Sequence, residues 1–367
     1  MNGNSSPLRG VFRILLLYDV AEAIDLAKVR ELLGPRAASG AHGFPRRTPE
    51  YVRFEQPPVI EARVPLALAS GEEVASWVKY YAFAVIAVEI EVPFACDWDE
   101  LQASASRWMD VAELEPLARE IVSGRLNEIE PAVSRRNEDW LSESYLMVNL
   151  QEVARDGNEQ CMALDLLETC GRRIVQLIRG ESTPLAEKNV EEALRASLSY
   201  YATDLVLVGT SAALVYDRSD DAAATMLVLE FAKMQLLEFR YYDNLMSDLL
   251  TGIYSALDQK QNFLLSRWRL PRQSQRLNAI RLDVMDLTER IDNSIKFFSD
   301  VYYARVYRLA AQRLGVDEYR GLVDEKLSTA GELYEFMVDQ FNETRSFVLE
   351  VIVGILALLD VIFWFKR

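Results

Sequence analysis

The residues with the chemistry to build a site are few in this chain. His42 is the only histidine. It lies in AHGFPRR, a Gly/Pro loop with no Ser-His-Asp or Cys-His arrangement around it. It therefore reads as an exposed loop residue and not as a base or a metal ligand. The three cysteines, Cys96, Cys161 and Cys170, are odd in number and sparse. Free thiols in a reducing compartment fit them better than a disulfide framework. There is no GxxxxGK[ST] and no GxGxxG after a strand, which disfavours the phosphate-cradling nucleotide folds. Gly209-Thr210-Ser211 follows one apolar run and precedes another, so a tight turn is the reading preferred over an anion nest. No catalytic residue, metal or cofactor is expected.

The charged residues give more. Asp217, Asp220 and Asp221 sit in YDRSDDAA and lack the glycine and the late glutamate of a calcium loop. A helix N-cap with acids at the dipole explains them. Glu230, Met234 and Glu238 share one face of a helix whose segment reads LEFAKMQLLEFRYYDNLM. With no Glu-x-x-His partner, a di-iron bundle is excluded, and buried Glu–Arg pairs or a solvated face are the default. Arg267, Trp268, Arg269, Arg272, Arg276 and Arg281 form the one basic cluster. Glu350 and Asp360 interrupt the long apolar run FVLEVIVGILALLDVIFWF near the C-terminus. That run has about the length a helix needs to cross a bilayer, and each acid inside it is costly in lipid.

Elements must hold these residues in place. Val11–Tyr18 reads as a buried strand, and Asp19–Leu33 as a helix ended by Gly34-Pro35. Residues 36–50 read as a loop, 53–64 as short strands and 71–80 as mixed. Ala82–Val92 and Ser144–Leu150 are strand candidates. Leu101–Ser106, Val111–Ile129, Ala163–Arg179 and Glu187–Ser199 are helix candidates. Leu205–Val208 and Ala212–Tyr216 form a hairpin. This is an α+β pattern. Beyond Asp217, Gly and Pro nearly vanish, and helices are expected over about 221–267, 272–313 and 317–365, broken at Pro271 and Gly315. In the last of these Val323, Leu327, Ala330, Tyr334, Met337, Phe341, Thr344 and Val348 keep four-and-three spacing that runs on through Val351, Ile355, Leu358 and Ile362. A coiled-coil oligomer seam and an amphipathic bundle within one chain both fit that spacing.

The expected architecture is thus an α+β N-terminal domain (1–216), a long-helix, coiled-coil-like bundle (217–345) and one C-terminal transmembrane-type helix (346–367). An antiparallel hairpin through Gly315 would bring the arginine elbow beside the apolar run, at a bilayer surface. Glu350 and Asp360 would then be buried in an oligomer seam, lie near the ends of a shallow anchor, or dock on the chain's own bundle. The formal net charge of −16 argues against general nucleic-acid binding, which needs a basic face. MNGNSSPLRG has no signal-peptide pattern.

The blocks RILLLYDVAEAIDL, VKYYAFAVIAVEIEVP, YYATDLVLVGTSAALVYD, LEFAKMQLLEFRYYD and the C-terminal LYEFMVDQFNETRSFVLEVIVGILALLDVIF carry a resemblance. In them the chain resembles the "required for meiotic nuclear division" proteins and their bacterial relatives. The acids inside the tail depart from that family. The resemblance implies membrane association and an anchoring or scaffold role, with no catalytic residues to carry over. The function expected is a membrane-tethered, non-enzymatic homo-oligomeric scaffold that positions an unknown cytosolic protein partner. Its bulk is expected in the cytoplasm and its tail in membrane lipid. The alternative is a cation-transport oligomer laid out like the CorA-type channels, although it lacks their Gly-Met-Asn loop.

Overall fold

The computed structural model describes residues 8–38, 57–61, 64–68, 73–153, 161–217, 221–258, 275–289, 301–336 and 353, 354 and 356. The chain divides into two compact units. The first holds Met1–Tyr241 and Arg290–Glu318, and the second Tyr242–Glu289 and Tyr319–Arg367.

The first unit is built on a sheet. Its strands are β1 (Leu8–Ile24), β2 (Ala37–Ala38), β3 (Val59–Glu61), β4 (Val64–Ala67), β5 (Glu73–Tyr80), β6 (Val85–Cys96), β7 (Val133–Val153), β8 (Ser197–Leu198), β9 (Leu205–Val208) and β10 (Ala212–Tyr216). They lie in the order β2-β3-β5-β6-β1-β7-β10-β9-β8, with β4 on β5. The β7–β10 pair is parallel and the other pairs are antiparallel.

Alternation along β1 sorts the two faces. Phe12, Ile14, Leu16, Tyr18 and Val20 join one core with the helices α1 (Leu26–Leu33), α2 (Trp98–Met109), α3 (Leu114–Glu128), α4 (Ala163–Arg179) and α5 (Glu187–Leu194). Arg13, Leu15 and Leu17 point the other way. That face lies under α6 (Asp221–Asp258), which reaches it through Glu230 and Lys233. Helix α8 (Val301–Leu314) packs on α6 through Phe231 and Tyr307. From 224 to 239 every residue of α6 is buried. This is the signature of a helix packed all round rather than along one stripe. The second unit takes the end of α6, α7 (275–289) and most of α9 (316–336). Gly315, at φ +84°, breaks α8 from α9 in the left-handed conformation that favours glycine.

The expected α+β pattern holds for the sheet unit, and Ala163–Arg179 and the 205–216 hairpin fall where the sequence put them. Two strands are longer than expected. β1 runs through Asp19–Ile24, read above as helix, because those residues pair with β7, and helix α1 starts only after its cap at Asp25. β7 begins at Val133, since the polar stretch SRRNEDWLSE is a half-exposed ribbon against β1.

The transmembrane helix expected at 346–367 is corrected. Among the described residues no helix is long and apolar enough to cross a membrane. Of the run 347–365 only Val353, Gly354 and Leu356 are described, and the rest, with Glu350 and Asp360, lies outside the described residues. The run itself carries the physical reason. Between its two acids lie the nine residues 351–359. These cover about 14 Å as helix against a hydrocarbon core of about 30 Å. A single-pass tail anchor, with the membrane location that rested on it, is therefore not supported.

Candidate functional site

β7 is flanked by β1 along its length, but β10 joins its other side only from Leu146 onward. Below that point the sheet has a notch, beside which no strand is described. The notch is closed above by the β9–β10 turn, where Tyr145 donates its hydroxyl to the Gly209 carbonyl at 3.0 Å and the Leu146 amide donates to the Ser211 carbonyl at 3.2 Å. Gly209 suits this turn because a Cβ there would meet the Ala212 carbonyl at 2.9 Å and Ile178 at 3.2 Å.

A cavity of about 210 Å³ fills the notch. Residues from both faces of the sheet line it. Glu143, Tyr145 and Lys233 come from the α6 side; Ile14, Trp108 and Leu146 come from the opposite core; Ser144, Thr210 and Ser211 stand at the notch itself. The Lys233 ammonium lies 2.6 Å from Glu143 Oε2, with side chains 6% and 9% exposed. Arg240, two turns further along α6 and more exposed, contacts the same carboxylate. Burial pulls the Lys233 pKa down to about 8. The cavity wall therefore carries one cation and one carboxylate, with hydroxyls nearby. It can hold a polar molecule, and its one amine is within reach of losing its proton near pH 8.

A second polar cluster on the same face is sealed. Lys79 bridges Glu89 and Glu230, at 2.7 Å from Glu230 Oε2. Arg13 bridges Glu89 at 2.9 Å and Glu91 at 2.8 Å. The Tyr81 hydroxyl donates to Glu230 in a short hydrogen bond. Burial works against the Glu89 charge, but Lys79 and Arg13 outweigh it and hold that carboxyl below the usual range. Burial, joined by repulsion from Glu89, outweighs Lys79 at Glu230 and raises its carboxyl. Two cations thus serve three carboxylates, and Glu230 is the one whose charge burial disfavours more than its partners favour it.

The sequence-derived candidates fare unevenly. Glu230, Met234 and Glu238 are buried, as one of the two readings had it, but the partner of Glu230 is a lysine from β5 and not an arginine. Asp217 directly follows β10 and donates its amide to the Leu150 carbonyl. Arg276 is exposed near the start of α7. Arg267, Trp268, Arg269 and Arg272 lie outside the described residues, as does His42. In the seam Val323, Leu327 and Ala330 are buried and Tyr334 is half-buried, while Met337, Phe341, Val348, Ile355 and Leu358 lie outside. Cys161 is buried and Cys170 half-buried. Among the described residues no group of three or more His, Cys, Asp or Glu is placed to hold a metal ion. Sequence reasoning missed Lys79, Glu143 and Lys233. The available signal was a charged residue inside an otherwise apolar stretch, as in SWVKYYAF and VLEFAKMQLL.

Residues 9–222, the sheet unit up to the start of α6, match the family described as "Uncharacterized protein MJ0711, N-terminal domain". The chain belongs to this family. It is also 21% identical over 253 residues to "Uncharacterized protein MJ0711" of Methanocaldococcus jannaschii, covering 69% of this chain and 74% of that protein. No solved structure matches. The family span includes Glu143, Tyr145, Thr210 and Ser211 and stops short of Lys233, so the cavity draws its ammonium from beyond the family domain.

Proposed function

We propose that this chain is a non-enzymatic assembly protein that associates with a second copy of itself through the helices of its second unit. One observation carries the reading: the second unit leaves a concentration of large apolar side chains in solvent. On α7, Leu282 is 66% exposed and Met285 63%; on α9, Phe336 is 56% exposed; on the end of α6, Tyr254 is 52% exposed. Helix α7 already buries Leu277, Ile280, Val284 and Leu287. Leu282 and Met285 form a stripe on its other side, and a helix apolar on two sides calls for two coverings. Exposed Arg276 and Arg281 on α7 and exposed Glu332 and Glu335 on α9 give two copies complementary charge to bring together.

The non-catalytic part draws support from the sheet unit, where the buried cations and carboxylates pair with one another. Kinship with the "required for meiotic nuclear division" proteins belongs to this proposal as well, supported by the sequence blocks that run the length of the chain; the scaffold role it implies agrees with self-assembly.

Light scattering after gel filtration tests the reading. The full chain is expected to elute as a dimer or larger, and the Leu282→Glu/Met285→Glu variant as a monomer with an unchanged circular dichroism spectrum. A monomeric parent chain at high micromolar concentration would sink the proposal.

A further inference from the structure

We infer that the cavity in the sheet notch is a binding site for a small uncharged polyol, held by the spare hydrogen-bonding capacity of Lys233, Glu143 and the notch hydroxyls. The charge of the wall decides the class. Lys233 and Glu143 both line the cavity and pair with each other at 2.6 Å. An anion entering here meets the Glu143 carboxylate, and a cation meets the Lys233 ammonium. To gain a full ion pair, either would have to draw Lys233 and Glu143 apart, which is costly for buried charges. An uncharged ligand leaves the pair intact.

The pair is matched in charge but not saturated in hydrogen bonds. Lys233 has one charged partner, Glu143, and the Tyr145 ring centroid lies 5.7 Å from its nitrogen. An ammonium has donors to spare beyond a single partner. Glu143 Oε1 is buried and touched by Arg240, yet it accepts no well-formed hydrogen bond. A buried acceptor left in that state is unfavourable. Beside these groups, the hydroxyls of Ser144, Thr210 and Ser211 make no hydrogen bond among the described residues. Thr210 and Ser211 are exposed at the mouth. The wall therefore offers donors, acceptors and groups that act as either. A hydroxyl is itself both donor and acceptor, so a short chain with a hydroxyl on every carbon can answer each of them. The volume of about 210 Å³ equals the share of about seven waters at about 30 Å³ each, which is room for such a chain. The sealed cluster makes the contrast: Lys79 is shared between Glu89 and Glu230, Glu230 also takes Tyr81, and none of them lines the cavity.

The test uses the full chain and three probes in ligand-observed saturation-transfer NMR. They are erythritol, with a hydroxyl on every carbon; 1,4-butanediol, the same chain with hydroxyls at its ends only; and serine, a zwitterion of similar size. Erythritol is expected to bind, with butanediol about tenfold or more weaker and serine no tighter than butanediol. Lys233→Met is expected to lose erythritol. Thr210→Val, at the exposed mouth, is expected to weaken it several-fold with an unchanged circular dichroism spectrum, and it decides the matter where Lys233→Met does not fold. Equal binding of erythritol and butanediol would overturn the role of the hydroxyls. Preference for serine would overturn the uncharged class. Absence of erythritol binding to the folded parent chain, or binding unaffected by Thr210→Val or by a folded Lys233→Met, would overturn the site.

Discussion

Lys79 Nζ stands 2.7 Å from Glu230 Oε2, a bond between residues 151 apart in the chain. It ties the middle of β5 to the buried half of α6. Both side chains are at most 5% exposed, so the bond is shielded from water and salt. A buried pair of this kind is costly to break from one side. Lys79→Met would leave Glu89 and Glu230 without their shared cation, and a loss of about 3–5 kcal/mol is expected in urea unfolding. Glu230→Gln keeps an acceptor for Lys79 and Tyr81 and replaces a carboxyl already raised toward its neutral form. Its loss is expected to be smaller, about 1–2 kcal/mol. Equal losses for the two variants would contradict a Glu230 carboxyl held above its usual range.

Asp19 is 2% exposed, accepts from the Asn137 side-chain amide at 3.1 Å, and has its pKa lifted to about 7 by burial. An unfolded aspartate titrates near 3.9. The folded state therefore holds this proton more tightly, and stability is full below about pH 4 and falls as pH rises through 7. Asp19→Asn should raise the unfolding temperature at pH 8 and flatten the profile between pH 4 and 7. A variant with the parent's profile would refute the role of Asp19.

Lys233 shows the opposite sign. Its folded pKa of about 8 lies below the unfolded value of about 10.4. Between these values the unfolded chain binds more protons, so stability should rise with pH across that window. Chemical denaturation from pH 7.5 to 10 on the parent chain and on Lys233→Met isolates the contribution, and the slope should be reduced in the variant. The same slope in both would show that Lys233 titrates normally.

Two glycines should respond to alanine with opposite signs. At Gly10, where β1 slips register against β7, a Cβ would meet the Asn149 carbonyl at 2.1 Å and Phe94 at 2.6 Å. Gly10→Ala is expected to destabilise by about 1–3 kcal/mol or more. Gly124, inside α3, has open space around it, and Gly124→Ala should stabilise by about 0.5–1 kcal/mol. Paired calorimetry of the two variants measures both.

Much of the fold was legible because it is local. The spacing within Ala163–Arg179 and its stop at Gly180 (φ +65°) are properties of neighbours three and four apart. The same holds for the hairpin at Gly209–Ser211 and the break at Gly315. What eluded the sequence is non-local. Asp19–Ile24 carries helical spacing, yet it is strand because residues 133–141 of β7 come alongside. SRRNEDWLSE shows no alternation, yet it pairs because β1 offers it an edge.

The candidate site divides along the same line. The residues by themselves determined that no His- or Cys-centred chemistry is expected of the chain and that long helices follow residue 217. Only the tertiary structure decided that Glu143 and Lys233, 90 positions apart by their numbers, share a cavity wall. It also decided that the charges of α6 face the sheet instead of water, and that among the described helices none is apolar enough to cross a membrane. The physical reason is that burial and ion pairing depend on which surfaces meet, and those surfaces are set by strand order and register, which no window of neighbouring residues contains.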